Sequence, residues 1–334
     1  MFSVSPASDS EKLVSVQARY AARAAEACGY GFCSLDGADG YLFEVSDGAR
    51  RAQFAAGAGT PYALNDTRAA SIARDKAFCA EVLRQAGVPV LAGEKFFVTG
   101  RWADMRNPGR EPADALAYVR RIELPVFCKP LAASNGLYAE VIESAEAFED
   151  YLQRVSGEHF AVLIQPFVRG IEYRVFVLQG CALFSYRKHL PSVVGDARSS
   201  VRDLVAALPR DAGAPVPKIR ARDADGRLFS ADAVPGIGMR LTLEGPANRA
   251  AGGGAADLRD GASAPMARLA LAAAKAVGLR LAAVDMFDVS PSGDGSDLVV
   301  IEVNSNPMIA TLEEAGRWDL IIEIWKANFA AALR

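Results

Sequence analysis

A mixed α/β or α+β fold is what this sequence predicts, on three observations. Ile171 to Leu178 alternates strictly: Ile171, Tyr173, Val175 and Val177 face one way, and Glu172, Arg174 and Phe176 the other. That period of two marks a strand. Segments with apolar residues at helical spacing, such as Asp75–Gly87 and Pro265–Val277, lie between strand-like runs. Two short apolar runs, Val284–Phe287 and Val299–Val303, follow the second of these helices. Strands and helices intermixed along one chain define the class.

The elements follow in order. Glu11 to Cys28 is alanine-rich with apolar residues at helical spacing, and Tyr41 to Val45 reads as a strand. Asp75 caps a helix whose expected stripe is Phe78, Cys79, Val82 and Leu83, and Gly87 ends it. Strands are expected near Lys95–Thr99, Leu124–Pro130, Tyr138–Ile142 and Ala161–Gln165, with a helix from Ser144 to about Val155. After Ile171–Leu178, a strand spans Cys181–Tyr186. Residues 209–236 are rich in Pro, Asp, Arg and Ala and read as an insertion or loop. Leu320 to Leu333 is an amphipathic helix, whose apolar side offers a surface for a homodimer.

Composition excludes some classes. The 334 residues are 51% hydrophobic and 23% charged, enough for a sizeable core. A net charge of −3 speaks against nucleic acid as a partner. No apolar run is long enough to span a bilayer, and the first residues lack the blocks of a signal peptide. Five scattered cysteines without a CxxC fit reduced thiols in the cytoplasm. With two histidines, His159 and His189, the chain is poorly supplied for histidine-based chemistry.

Several residues carry chemistry. In the run Val299–Asn304, Glu302 and Asn304 share a face, and Asp285 joins it if the two strands are neighbours. Two carboxylates and an amide oxygen suit Mg²⁺ bound together with phosphates. Exposed polar residues on amphipathic strands are the plainer alternative. Lys129 ends a buried strand before the small-residue loop Ser134-Asn135-Gly136. A lysine there is costly unless an anion pairs with it, or unless it snorkels to water. Lys76 opens its helix, where a cation opposes the dipole unless a phosphate sits nearby. Gln165, Phe167 and Val168 at a strand end can frame an adenine, and Glu172 can accept from ribose hydroxyls. Arg187-Lys188-His189 is a basic cluster suited to phosphate or carboxylate. There is neither a Walker loop nor a Rossmann fingerprint.

Taken in order, these residues resemble an ATP-grasp fold over about residues 65–312. The resemblance is to carboxylate–amine ligases around cyanophycin synthetase and the glutathione-synthetase module of bifunctional glutathione synthases. It is carried by Asp75-Lys76, Lys129, the Ser134–Leu137 loop, Gln165–Val168 with Glu172, Val194-Gly-Asp-Ala-Arg198-Ser-Ser, Asn248 with Gly252-Gly253, Asp285, and Glu302-Val-Asn304-Ser-Asn306-Pro307-Met308. It implies two subdomains clamping ATP: residues 65–165, with a lead helix and mobile phosphate loop, and residues 166–334, with the metal site. Residues 1–64 form a small N-terminal α/β segment.

It also implies an activity: ATP-dependent C–N ligation that joins amino-acid-like substrates in an amide through an acylphosphate, releasing ADP and phosphate. Lys76 and Lys129 would bind α- and β-phosphates. Arg187 and Asn248 would meet the γ-phosphate and the acylphosphate. Asp285, Glu302 and Asn304 would hold Mg²⁺ or Mn²⁺. The partners implied are small carboxylates and amines, amino acids or a short peptide. Two departures bear on substrate choice. Glu244 stands where an arginine is expected four residues before Asn248, and the loop after Lys129 is short of glycine. Arg240, Glu244 and Arg280 are candidates for substrate contacts. The competing readings are a non-catalytic ATP-binding regulatory module and an ATP-grasp kinase.

Overall fold

The computed structural model describes residues 12–57, 61–133, 136–208, 219–244, 247 and 253–334. It begins with helix α1 (Val16–Ala27), capped by Ser15, and a three-stranded sheet of β1 (Gly31–Ser34), β2 (Leu42–Ser46) and β3 (Arg51–Ala55). Two short helices follow, α2 (Thr67–Arg74) and α3 (Lys76–Gln85). The Asp66 and Asp75 carboxylates cap them by accepting from backbone N–H groups. The expected stripe of α3 holds at Cys79 and Leu83, which are buried, but Phe78 faces outward, 53% exposed.

The next body is a four-stranded sheet in the order β4-β7-β5-β6, from β4 (Glu94–Phe97), β5 (Val126–Pro130), β6 (Glu140–Ile142) and β7 (Ala161–Pro166). Helices α4 (Pro112–Val119) and α5 (Ala145–Ser156) cover one face. There Phe96, Val126, Cys128, Ile142 and Ile164 meet Val119, Phe148 and Tyr151. Ser144 caps α5 as the sequence predicts.

The central body is a five-stranded antiparallel sheet, β14-β9-β8-β15-β16, made of β8 (Ile171–Leu178), β9 (Cys181–His189), β14 (Gly254–Asp260), β15 (Leu281–Asp288) and β16 (Leu298–Asn304). Between β9 and β14 the chain builds a small satellite sheet, β10-β13-β11-β12, from β10 (Ser192–Val194), β11 (Ala221–Arg222), β12 (Leu228–Phe229) and β13 (Arg240–Leu243). Helix α6 (Val201–Ala206) packs on it through Val201 and Val205. The stretch that reads as an unpatterned insertion therefore supplies two strands. Each has only two residues, too few to show alternation in sequence.

Helix α7 (Ala264–Val277) covers one face of the central sheet. Helices α2 and α3 pack there too, through Ala69, Ala73, Cys79 and Leu83. Residues 67–85 thus pack on the central body, and Ala77 of α3 also touches Leu131, Ala161 and Leu163 of the four-stranded lobe. The chain closes with α8 (Ala310–Glu314) and α9 (Trp318–Ala332). The apolar stripe of α9, including Ile321, Ile324, Trp325 and Phe329, is buried against α1 and the first sheet. That stripe is covered within the chain and is not open to a second copy. Among the described residues no helix is long and apolar enough to cross a membrane.

Candidate active site

Register decides which side chains meet. On β15, Asp285 sits opposite Arg174 of β8 and Glu302 of β16, and Ala283 sits opposite Asn304. Cross-strand partners share a face. Glu172, Arg174, Asp285, Glu302 and Asn304 therefore lie on the face away from α7. Alternation along β8 puts Glu172 and Arg174 together, but gives no sign that Arg174 meets Asp285.

Asp285 is 1% exposed. It accepts from Arg174 Nε at 2.6 Å and Nη2 at 2.7 Å, a bidentate pair, and from Lys188 Nζ at 3.2 Å. Lys188 also pairs with Glu172. Burial raises the Asp285 pKa, but Arg174 and Lys188 outweigh it and hold the carboxyl at about 2. Burial dominates at Glu172 and raises its pKa, with Lys188 offsetting part of the rise. Glu302 lies beside Asn304, whose Nδ2 donates to Glu302 Oε1 at 3.2 Å. Lys76 Nζ stands 3.9 Å from Glu302 Oε2 and donates to Ala133 O at 2.9 Å. Burial works against the Glu302 carboxylate too, yet Lys76 and Lys129 pull its pKa below the usual range.

The four-stranded sheet supplies the facing wall. Lys129 pairs with Leu163 and Phe127 with Gln165, on the side away from α4 and α5. Lys129 is 6% exposed. Among the described residues its ammonium forms no hydrogen bond or ion pair. Burial lowers its pKa, and Glu302 offsets this in part. Gln165 is buried as well. Its Nε2 reaches Leu91 O and Ala92 O at 3.5 and 3.4 Å, while its Oε1 has no partner. Phe167 and Val168 follow, half-buried, with the Phe167 N–H donating to Pro125 O at 3.3 Å. Gly136 adopts φ +72°, in the region that favours glycine. Ser134, Asn135 and Asn248 lie outside the described residues.

Arg187 does not join the acids. It sits opposite Tyr173, on the α7 side of the sheet. Among the described residues its side chain makes no hydrogen bond or ion pair. Its neighbour Lys188 reaches the acids instead, and His189 is exposed. Glu244 is the hub of a second cluster, with Arg222 Nε at 2.7 Å, Arg169 at 3.3 Å, and Arg220, which also pairs with Glu143 of the four-stranded lobe. Arg240 reaches Ser192 Oγ at 2.7 Å on the satellite sheet, and the Arg280 backbone N–H donates to Asn65 Oδ1 at 3.1 Å.

The donor set can be tested against a metal. No group of three His, Cys, Asp or Glu gathers closely enough to hold one among the described residues. Glu302 and Asn304 offer hard oxygens side by side, which fits Mg²⁺ or Mn²⁺. Asp285 adds a third oxygen donor from the adjacent strand, on the condition that it exchanges part of its pairing with Arg174 and Lys188.

No family model matches the chain. Among curated proteins it is similar to the glutathione biosynthesis bifunctional protein GshAB of Streptococcus mutans serotype c, 28% identical over 252 residues, covering 70% of this chain and 32% of that protein. The GshAB of Enterococcus faecalis is 26% identical over 256 residues, covering 71% and 32%. The chain is a relative of these bifunctional proteins. It spans about a third of their length. Among solved structures, a bifunctional glutathione synthetase from Pasteurella multocida aligns with a TM-score of 0.47 and 22% identity, over 89% of this chain and 42% of that one. A D-alanine–D-alanine ligase from Bacillus anthracis aligns with a TM-score of 0.48 and 15% identity, over 80% and 70%.

Proposed function

We propose that this chain is an ATP-dependent carboxylate–amine ligase of the ATP-grasp type. The observation that carries the reading is Lys129, a buried ammonium without a counter-ion among the described residues, facing the Glu302 side of the central sheet. Phosphate oxygens would supply the missing charge. The similarity to GshAB proteins supports the same conclusion.

In this reading a substrate carboxylate attacks the γ-phosphorus of ATP. ADP leaves, and an amine displaces phosphate from the acylphosphate to form the amide. Positioning and charge neutralisation are most of what such a transfer needs. Lys129 and Lys76 hold phosphate oxygens. The unpartnered Gln165 Oε1, with Phe167 and Val168, receives the base. The Ser134–Gly136 loop closes over the phosphates and keeps water from the acylphosphate. Asn248 and, from the basic run, Lys188 on the acid face serve the transferred group, while Arg187 starts from the opposite face of β9. Glu302, Asn304 and Asp285 would hold Mg²⁺ or Mn²⁺, which supplies charge neutralisation between phosphates. The substrates are small: an amino-acid-like carboxylate and an amine.

The test is ADP and phosphate release against pairs of amino acids and short peptides, with Glu302→Ala as control. Release that needs two partners, with a conjugate one water lighter than their sum, supports the ligase. ATP hydrolysis indifferent to every carboxylate, or unchanged in Glu302→Ala, sinks it.

A further inference from the structure

The charges around Asp285 and Glu302 do not balance as a metal site should. Among the described residues three carboxylates gather here: Glu172, Asp285 and Glu302. Four cations surround them: Arg174 and Lys188 in direct ion pairs, Lys76 at 3.9 Å, and Lys129 within electrostatic reach of Glu302. Without a nucleotide these seven groups carry one surplus positive charge. A bare divalent cation arriving there would meet repulsion rather than a vacant acidic cage. A polyphosphate brings enough negative charge to reverse that sign.

The two cations on Asp285 are not equivalent. Arg174 holds it with two parallel hydrogen bonds of 2.6 and 2.7 Å, the geometry a guanidinium fork is shaped for. Lys188 holds it with a single longer contact of 3.2 Å, on a flexible stem that already has Glu172 as a second partner. Lys188 can leave Asp285 without leaving its own charge unpaired. Arg174 cannot, because the bidentate Asp285 pair is its ion pair here.

We propose that Lys188 is a positioning residue that stands in for the divalent cation at Asp285 until the nucleotide arrives. The free protein then has no tight metal site, and metal enters only together with phosphate. This rests on the ligase reading above and deepens it. On nucleotide binding Lys188 withdraws from Asp285 toward Glu172 and the phosphate oxygens, and Asp285 is released to the metal on that side.

The experiment is Mn²⁺ binding to the full chain, followed by loss of the free-ion electron paramagnetic resonance signal, with and without ADP, in the wild type and in Lys188→Met. The wild type should bind Mn²⁺ poorly alone and at least about tenfold more tightly with ADP than ADP alone accounts for. Lys188→Met should bind Mn²⁺ without nucleotide at least about tenfold more tightly than the wild type, because one repelling charge at ion-pair distance is gone. Lys188→Gln repeats the measurement if the methionine variant does not fold. Wild-type protein that binds Mn²⁺ equally with and without ADP overturns the proposal and leaves the ligase reading standing. So does a folded Lys188 variant with no gain. Protein that binds neither ADP nor Mn²⁺ with ADP overturns both.

Discussion

On the α7 side of the central sheet, Val175, Val177, Val284, Met286, Val300 and Val303 are buried among apolar helix side chains. One residue along the same strands, on the opposite side, lie Arg174, Asp285 and Glu302. The first side is buried, and the second is shielded around a buried Asp285 with Arg174 and Glu302 half-buried. The apolar side is held by many small, interchangeable contacts, each roughly proportional to area. The charged side is held by a few ions, none of which is tolerable there without the others. A change on the first side should therefore cost volume, and a change on the second should cost whatever charge it strands.

The sharpest way to break this contrast is at Asp285. Asp285→Ala leaves Arg174 without its ion pair and Lys188 with Glu172, and Glu302 acts on both only at longer range. The expected loss is about 3–5 kcal/mol, read by chemical denaturation. Adding Lys188→Met to that variant should recover part of the loss, since the charge that repels Arg174 goes with it. A single-variant loss below about 1 kcal/mol would show that water, not Asp285, satisfies these cations.

Its neighbour Val284 tests the other side. Val284→Ala removes two buried methyl groups and should cost about 2 kcal/mol once the cavity is counted. The turnover proposed for this chain should be retained per folded molecule. Two adjacent residues on β15 would thus separate stability from activity. Equal loss of turnover in both variants would mean that the sheet acts as one unit and the contrast between faces has no functional content.

Lys129 predicts a change of opposite sign. Replacing a buried, unpaired ammonium with the similarly shaped thioether of Lys129→Met removes a desolvation cost. Stability should stay level or rise by about 1 kcal/mol. ATP affinity, measured by calorimetry, should fall at least about tenfold, the worth of a charge-assisted contact. A destabilised variant that still binds ATP normally would mean that Lys129 is structural and that the phosphates lie elsewhere.

What is legible in the sequence follows the same division. Strict alternation in Ile171–Leu178 separates the apolar from the charged side by itself, because the side-chain period of a strand is two. Asp75 and Ser144 announce their helices by capping. Spacing puts Glu302 and Asn304 on one face, with Asp285 beside them if the strands are neighbours, and the ladder makes them neighbours. Pairing partners are not legible. Nothing in β8 alone says that Arg174 stands opposite Asp285, and nothing in α9 says that its stripe meets α1 rather than another chain. Nor does sequence spacing reveal that Glu244 gathers Arg169 from one distant segment and Arg220 and Arg222 from another. These are properties of register and tertiary contact.

Arg187 and Lys188 give the smallest expected effect and the finest test of register. In sequence they are equivalent members of one basic run, and a shift of one residue flips every side chain of a strand to the other face. The ladder pairs Arg187 with Tyr173 and leaves Lys188 on the acid side. Arg187→Ala should then change stability by no more than about 0.5 kcal/mol, as for a side chain without partners. Its kcat should stay within about threefold of the wild type, a difference under about 1 kcal/mol in the barrier. Lys188→Ala should lower turnover more and change its dependence on Mg²⁺ concentration. Since Arg187 lies two residues from the end of β9, the alternative is specific: its long side chain could turn around the strand end to reach the transferred phosphate. In that case Arg187→Ala would lose turnover while ATP affinity held, and Arg187→Lys would recover part of the loss. That result would return the γ-phosphate role to Arg187 and leave Lys188 with the metal-free state alone.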